Sequence, residues 1–290
     1  MKRTLITVTM ITVILTALPV WAQTETDFEV KQNADNTLTI TGYTGTVKNI
    51  VIPSTLYGLK VTGIDDGAFA YKELTSVVIP DTITTIGTRY FQNIPGTFQG
   101  NKLIKVTLGS GITIIPYGAF RDNQTLTKIE IPDSVVGISG DSFQNCGLTN
   151  IVFSKNLQYI DREAFRNNRI TELILPVGLK TISMDAFAFN QIRSLIIPDG
   201  VTKIYQRAFM GNPIEILVIP PSLAKYNSDN HGNYISGIAD NAFNNSSITR
   251  ITLPEGMSER VLQLNFDRGL VNFWNNQNKA AGTYVKKGPI

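Results

Sequence analysis

Apolar residues recur along most of the chain at fixed offsets from one another. An opening Leu, Ile or Val stands at Val47, Leu74, Leu103, Leu126, Leu148, Ile170, Ile192, Ile214 and Ile248, with steps of 22 residues from Leu126 to Ile214. Three and five residues after each opener come two more apolar residues, as in Ile129/Ile131, Leu173/Leu175, Leu195/Ile197 and Leu217/Ile219. This period of two, rich in β-branched side chains, predicts a short strand with those residues facing inward. A proline usually follows, as at Pro53, Pro80, Pro132, Pro176, Pro198 and Pro220. Proline has no N–H to give to a ladder, so it ends the strand and turns the chain.

Two further apolar positions follow in each unit, for example Val135 and Ile138 or Leu179 and Ile182, and these should line a return side. A phenylalanine closes the unit at Phe69, Phe98, Phe120, Phe143, Phe165, Phe187, Phe209 and Phe243, often behind an alanine, in a short turn or helical segment. Asn145, Asn167, Asn190 and Gly211 suit the turn to the next strand. One such unit cannot bury its own apolar side, whereas stacked units form a continuous core. The expected fold is an α/β solenoid. A parallel sheet of short strands runs along one face, with short helical or irregular return segments and right-handed coiling. About nine coils occupy 47–257, spanning roughly 40 Å at the spacing of neighbouring strands.

The unit L-x-x-(I/V)-x-(I/L)-P-x-x-(I/V)-x-x-I-x-x-x-A-F, legible over 126–213 almost without gaps, resembles the BspA-type leucine-rich repeat family. The broader match runs from about 47 to 266. The flanks Thr39–Gly45 and Asn278–Tyr284 look like those of bacterial surface members, especially spirochaetal ones. The resemblance implies an exported or cell-surface protein tied to adhesion or host-protein binding. It supplies neither a residue-level site nor a catalytic function.

The two ends depart from the repeat. Lys2 and Arg3, an apolar run from Leu5 to Leu18, Pro19 and the boundary Val20-Trp21-Ala22 have the three-part layout of a secretory signal, with cleavage expected after Ala22. No cysteine follows that could carry an N-terminal lipid, and no transmembrane segment is expected once the signal is gone. Residues 23–46 read as a strand-containing cap, and 258–290 as a helical cap and tail in which 258–276 is largely helical. Location is then outside the cytoplasm: secreted, at the cell surface, or periplasmic.

Composition narrows the chemistry. The chain of 290 residues has a formal charge of +3, but without 1–22 it keeps 24 basic and 23 acidic residues, a net of +1. Nucleic acid is therefore not an expected partner, since phosphate binding needs a concentrated excess of Lys and Arg. One histidine and one cysteine exclude His-rich and Cys-rich metal sites and any internal disulfide. No metal or other cofactor is expected. Asp161 and Glu163 are close in sequence, but without a pocket signature they do not make an acid–base pair. Cys146 reads as an inert thiol at the core edge.

Two surfaces are candidates for binding. The middle residue of each strand faces outward, and in consecutive coils Val152, Ile174, Ile196 and Val218 form an apolar stripe about 15 Å long. Glu172, Arg193, Glu215 and Arg250 flank it like an interface rim. β-Propensity alone also accounts for Val and Ile there. The second candidate is the extra length, about five residues near Tyr57, seven near Thr88–Gly96 and twelve near Lys225–Ser236. It brings in Tyr57, Tyr90, Phe91, Tyr226, His231 and Tyr234. The reading is a non-enzymatic protein-binding scaffold, its partner a host extracellular or bacterial surface protein. The alternatives are a self-associating envelope protein and, more remotely, a glycan-active hydrolase.

Overall fold

The computed structural model describes residues 23–87, 94–224, 227–228, 234–244, 248–266 and 280–285. The chain winds into a β-solenoid, and each full coil contributes two strands. The first row comprises Asn49–Val51, Ser76–Val78, Lys105–Thr107, Lys128–Glu130, Asn150–Val152, Ser194–Ile196, Ile216–Val218 and Arg250–Leu253. The row falls into three ladders, 49–107, 128–152 and 194–253, each parallel and in register, so that Ile129 faces Ile151 and Leu195 faces Leu217. The coil containing Leu173 joins by a single bridge from Glu172 to Ser194.

The return side is also a sheet. Two-residue strands at Ile114–Ile115, Gly137–Ile138, Tyr159–Ile160, Thr181–Ile182 and Lys203–Ile204 pair in parallel and continue onto Tyr234–Ile238. The remaining returns are turns and irregular segments. Of the two forms expected for them, the helical one is represented among the described residues by a single 3-10 turn, Pro221–Leu223.

Backbone signs explain the scarcity of helix. Two residues before the phenylalanine, Gly67, Gly118, Asp141, Glu163, Asp185, Arg207 and Asn241 have positive φ. So do Tyr71, Gly100, Asp122, Asn145, Asn167, Phe189 and Gly211, two residues after it. A left-handed residue on each side of the phenylalanine stops a helix before its first turn is complete.

Between the rows lies an aromatic column. Tyr43, Phe69, Phe98, Phe120, Phe143, Phe165, Phe187, Phe209, Phe243 and Phe266 stack face to face, neighbouring centroids 5.2 to 5.9 Å apart. These spacings are those of favourable offset stacking. The backbone locks the column: from Phe69 to Phe209, each Phe N–H donates to the residue before the next phenylalanine, as from Phe165 to Ala186 O and from Phe187 to Ala208 O, both at 2.8 Å.

Three residues after the phenylalanine runs a buried ladder of side-chain amides: Asn101, Asn123, Asn168, Asn190 and Asn212. Asn190 is typical. Its Nδ2 donates to Phe165 O at 2.9 Å and Phe187 O at 3.0 Å, and its Oδ1 accepts the Ile170 N–H at 3.1 Å. One amide therefore pairs three backbone groups that the turn would strand in the core. Sequence reading placed Asn190 among the turn-formers. The turn conformation belongs to its neighbour in the chain, Phe189, with φ 58°.

The ends are closed differently. Phe28–Gln32 and Leu38–Tyr43 form an antiparallel hairpin whose second strand pairs in parallel with Leu59–Ile64, closing the return-side sheet. At the other end Gly282–Val285 lies antiparallel on Arg250–Leu253 and closes the first row. The helix expected over 258–276 is present as Glu259–Asn265. Phe266 is already extended, with φ −135° and ψ 163°, which lets its ring add the last member of the aromatic column. Residues 267–279 lie outside the described region.

Candidate functional site

The strands of the first row are three or four residues long, and side chains alternate between the core and the outer face. In Ser194–Ile196 the central Leu195 is buried and both flanking residues are exposed. Ile196 is opposite Val218, and Val218 opposite Thr252. Glu172 bridges to Ser194, which aligns Ile174 with Ile196 one coil on. Ile174 is 82% exposed, Ile196 63% and Val152 49%, while Val218 is half-buried.

Two apolar neighbours escaped sequence reading. Ile216, the first residue of its strand, is exposed beside Val218, and Val177, just past the strand-ending Pro176, is 79% exposed. Ile216 was detectable, since first and third strand residues share a face. Val177 lies in a turn, where alternation says nothing about direction.

The four charged residues divide into two kinds. Glu172 and Arg250 occupy the first strand position and lie on the outer face. Arg193 and Glu215 sit one residue before their strands and bond to each other across adjacent coils through Arg193 Nη1 and Glu215 Oε1.

Tyr57 is far along the chain from this surface and has a structural attachment. It forms, with Gly58, the two-residue tip of a hairpin between Thr55–Leu56 and Leu59–Lys60, φ 51° and 76°. Positive φ at both positions is what such tips need. Its N–H donates to Glu25 Oε1 at 2.9 Å and its hydroxyl to Glu25 O at 3.1 Å. Tyr234 opens the strand Tyr234–Ile238. Tyr90, Phe91, Tyr226 and His231 lie outside the described residues.

A second polar feature runs along the return-side edge. Asp141, Glu163 and Asp185 hold equivalent places in consecutive coils and are all buried. Asp141 accepts from Tyr117 Oη at 2.6 Å and Arg121 Nη1 at 3.0 Å. Glu163 accepts from Gln144 Nε2 at 2.6 Å, Arg166 Nη1 at 2.8 Å and Arg162 Nε at 2.9 Å. Asp185 is gripped by Arg207 of the next coil, with Nη2 at 2.7 Å and Nε at 3.0 Å.

Burial pushes the Asp141 carboxyl above its ordinary value, against the pull of Tyr117 and Arg121. Burial opposes ionisation of Glu163 too, but hydrogen bonds and charge from Arg166 and Arg162 outweigh it and hold that carboxyl below its ordinary value. Glu163 is thus saturated by its partners, and Asp161 turns one oxygen back onto the Arg162 N–H at 2.7 Å. Gln144 ties Glu163 to the preceding coil, while Arg162 and Arg166 hold it within its own.

Cys146 is buried, its thiol donating to Phe120 O at 3.1 Å, and burial raises it to about 12. It stays protonated and unreactive at neutral pH. Among the described residues, no group of three or more His, Cys, Asp or Glu side chains is placed to hold a metal ion. Nor is any of their helices long and apolar enough to cross a membrane.

Stacked two-strand coils around a phenylalanine column, with an open strand face, define a β-solenoid of the leucine-rich repeat class. The chain belongs to the BspA type leucine rich repeat family, whose pattern matches residues 43–97, 95–215 and 222–263 in 6 copies. Similar solved structures include a T. pallidum leucine rich repeat protein, TpLRR, 19% identical, covering 57% of this chain and 87% of that one at a TM-score of 0.45. A leucine-rich repeat protein from Bacteroides ovatus is 16% identical over 74% of this chain and 67% of its own, TM-score 0.43. The pneumococcal vaccine antigen PcpA is 18% identical over 83% and 81%, TM-score 0.34. No curated protein matches the chain.

Proposed function

We propose that this protein is a non-enzymatic scaffold, exported after cleavage behind Ala22, that binds another protein through the first-row stripe. The carrying observation is the adjacency of Ile174 and Ile196, 82% and 63% exposed on neighbouring coils while Leu173 and Leu195 beneath them are buried. No contact within the coil calls for apolar residues at these two positions. Burying both against a partner gains roughly 1.5–3 kcal/mol each. Val152, Ile216 and Val218 extend the apolar area, and Glu172 and Arg250 lie on the same face as polar margins. Adhesion or host-protein interaction at the cell surface, or after secretion, is the role that fits such a face on an exported chain.

The test is a pull-down from host extracellular extract with residues 23–290, beside an Ile174→Thr/Ile196→Thr variant. The proposal expects a captured protein whose binding weakens at least tenfold in the variant. Equal capture by both chains overturns it. Light scattering over a concentration series, run on the same two samples, reveals a second copy of this chain if that is the partner.

A further inference from the structure

The N-terminal hairpin closes the return-side sheet, so the first row begins with an outer edge that no strand among the described residues covers. Asn49–Val51 pairs with Ser76–Val78 on its inner side. On its outer side the Val51 N–H donates to the side-chain oxygen Oε1 of Gln23 at 2.9 Å. The nitrogen of the same amide, Nε2, is buried and has no hydrogen-bond partner. Native structures rarely leave such a donor unpaired. The residues that follow are anchored: Thr24 N–H donates to Asp27 Oδ2 at 2.7 Å, and Glu25 Oε1 accepts the Tyr57 N–H. Gln23 is also the residue that export cleavage behind Ala22 would leave first in the chain.

We propose that Gln23 is a modification site, closing on its own α-amino group to form a pyroglutamyl N-terminus. The inference rests on the export reading above, because only cleavage frees that amine. In its neutral form the α-amino nitrogen attacks Cδ. A bond forms between them, the Cδ–Nε2 bond breaks, and Nε2 leaves as ammonia after taking a proton from the attacking amine. Atoms balance with no oxidant, reductant or co-reactant.

The contacts favour this step. The Val51 N–H stabilises negative charge as it builds on Oε1, the role of a backbone donor at an oxyanion. Nothing holds the leaving nitrogen. The oxygen survives as the lactam carbonyl and still accepts from the strand edge, while the unpaired donor departs. The product is an uncharged, aminopeptidase-resistant end on the edge of the first coil.

The full-length chain, secreted from a bacterial host, tests the inference by mass spectrometry of its N-terminal peptide. The expected peptide begins at residue 23 and is lighter by one ammonia than its open glutamine form. A peptide beginning at residue 23 with open glutamine overturns this proposal and leaves the export reading standing. A peptide beginning elsewhere overturns both. Hydrogen exchange at Val51 supplies a second readout. Gln23→Ala should speed exchange of that amide about fivefold, the loss of one hydrogen bond, and an unchanged rate overturns the placement of the ring carbonyl on the strand edge.

Discussion

The Cys146 thiol donates to the Phe120 carbonyl across 3.1 Å, the place where the coils before and after it put an asparagine amide. Sulfur satisfies that carbonyl weakly and cannot do the rest of the amide's work. Cys146→Asn should therefore stabilise the protein by about 1 kcal/mol, the net worth of an added buried hydrogen bond. A thermal melt would show a rise of roughly 2–4 °C, and a fall would mean the site has adapted to sulfur.

The converse holds one coil on. Asn168 pairs Phe143 O, Phe165 O and Leu148 N–H. Asn168→Ala strands the Phe143 carbonyl and the Leu148 N–H in the core, while Phe165 O keeps the Asn190 amide. Each buried unpaired group costs about 1–3 kcal/mol, so the loss should exceed that of an ordinary surface substitution severalfold in urea denaturation.

Phe165 is stacked on both faces, 5.3 Å from Phe143 and 5.3 Å from Phe187, with Phe153 edge-on at 5.7 Å. Phe165→Ala should cost about 3–5 kcal/mol. Because each coil contacts only its neighbours, the damage should split unfolding into two transitions. Hydrogen exchange that rose evenly over every coil would contradict this.

Acid should act on the buried carboxylates in opposite senses. Glu163 is held below its ordinary 4.5, so its stabilising contribution is complete above that value and is lost as pH falls toward the folded value. Asp141 is held above its ordinary 3.8, so its ionised form is destabilising and the penalty is relieved as pH falls through the raised value. The stability advantage of wild type over Glu163→Gln should shrink below about pH 4.5. Any advantage of Asp141→Asn over wild type should shrink over the higher part of the acid range. Denaturation curves at a series of pH values measure both differences.

Two glycines separate close packing of backbone from close packing of side chains. A Cβ on Gly96 would sit 1.9 Å from Gly118 O and 2.3 Å from Gly118 C, backbone that cannot retreat without opening the coils. On Gly137 it would meet the ring end of the Tyr159 side chain at 2.0 Å, the far end of a side chain that can rotate rather than fixed backbone. Gly96→Ala should cost several kcal/mol, toward the upper end of overpacking penalties, and Gly137→Ala about 1 kcal/mol or less. Equal losses by calorimetry would refute the distinction.

The coil itself was legible because two independent periods coincide. Alternation gave the strand, as at Leu195 and Ile197, and the step of 22 residues gave the stacking. The return-side sheet was only half legible: strands such as Thr181–Ile182 are two residues long, too short to show alternation, and only the buried isoleucine stood out. Asn168, Asn190 and Asn212 also recur every 22 residues, yet asparagine ordinarily signals a turn, which concealed its role inside the core. Within 258–276 the described part is the helix Glu259–Asn265 and the extended Phe266, whose place on the aromatic column cannot be seen from local spacing; 267–276 lie outside the described residues. Ile174 and Ile196 lie outward by simple alternation. What meets them is not written in the chain, because the contacts that would identify it lie between molecules.

The closing strands carry one further consequence. Every internal ladder along the first row is parallel, but Gly282–Val285 runs against Arg250–Leu253. Antiparallel pairing alternates narrow and wide hydrogen-bond pairs where a parallel edge spaces them evenly. Arg250–Leu253 thus has its outer edge taken by a strand of the same chain, and no coil from another molecule can pair with it there. The last parallel edge of the array is capped from within, by a strand that turns back on the coil before it.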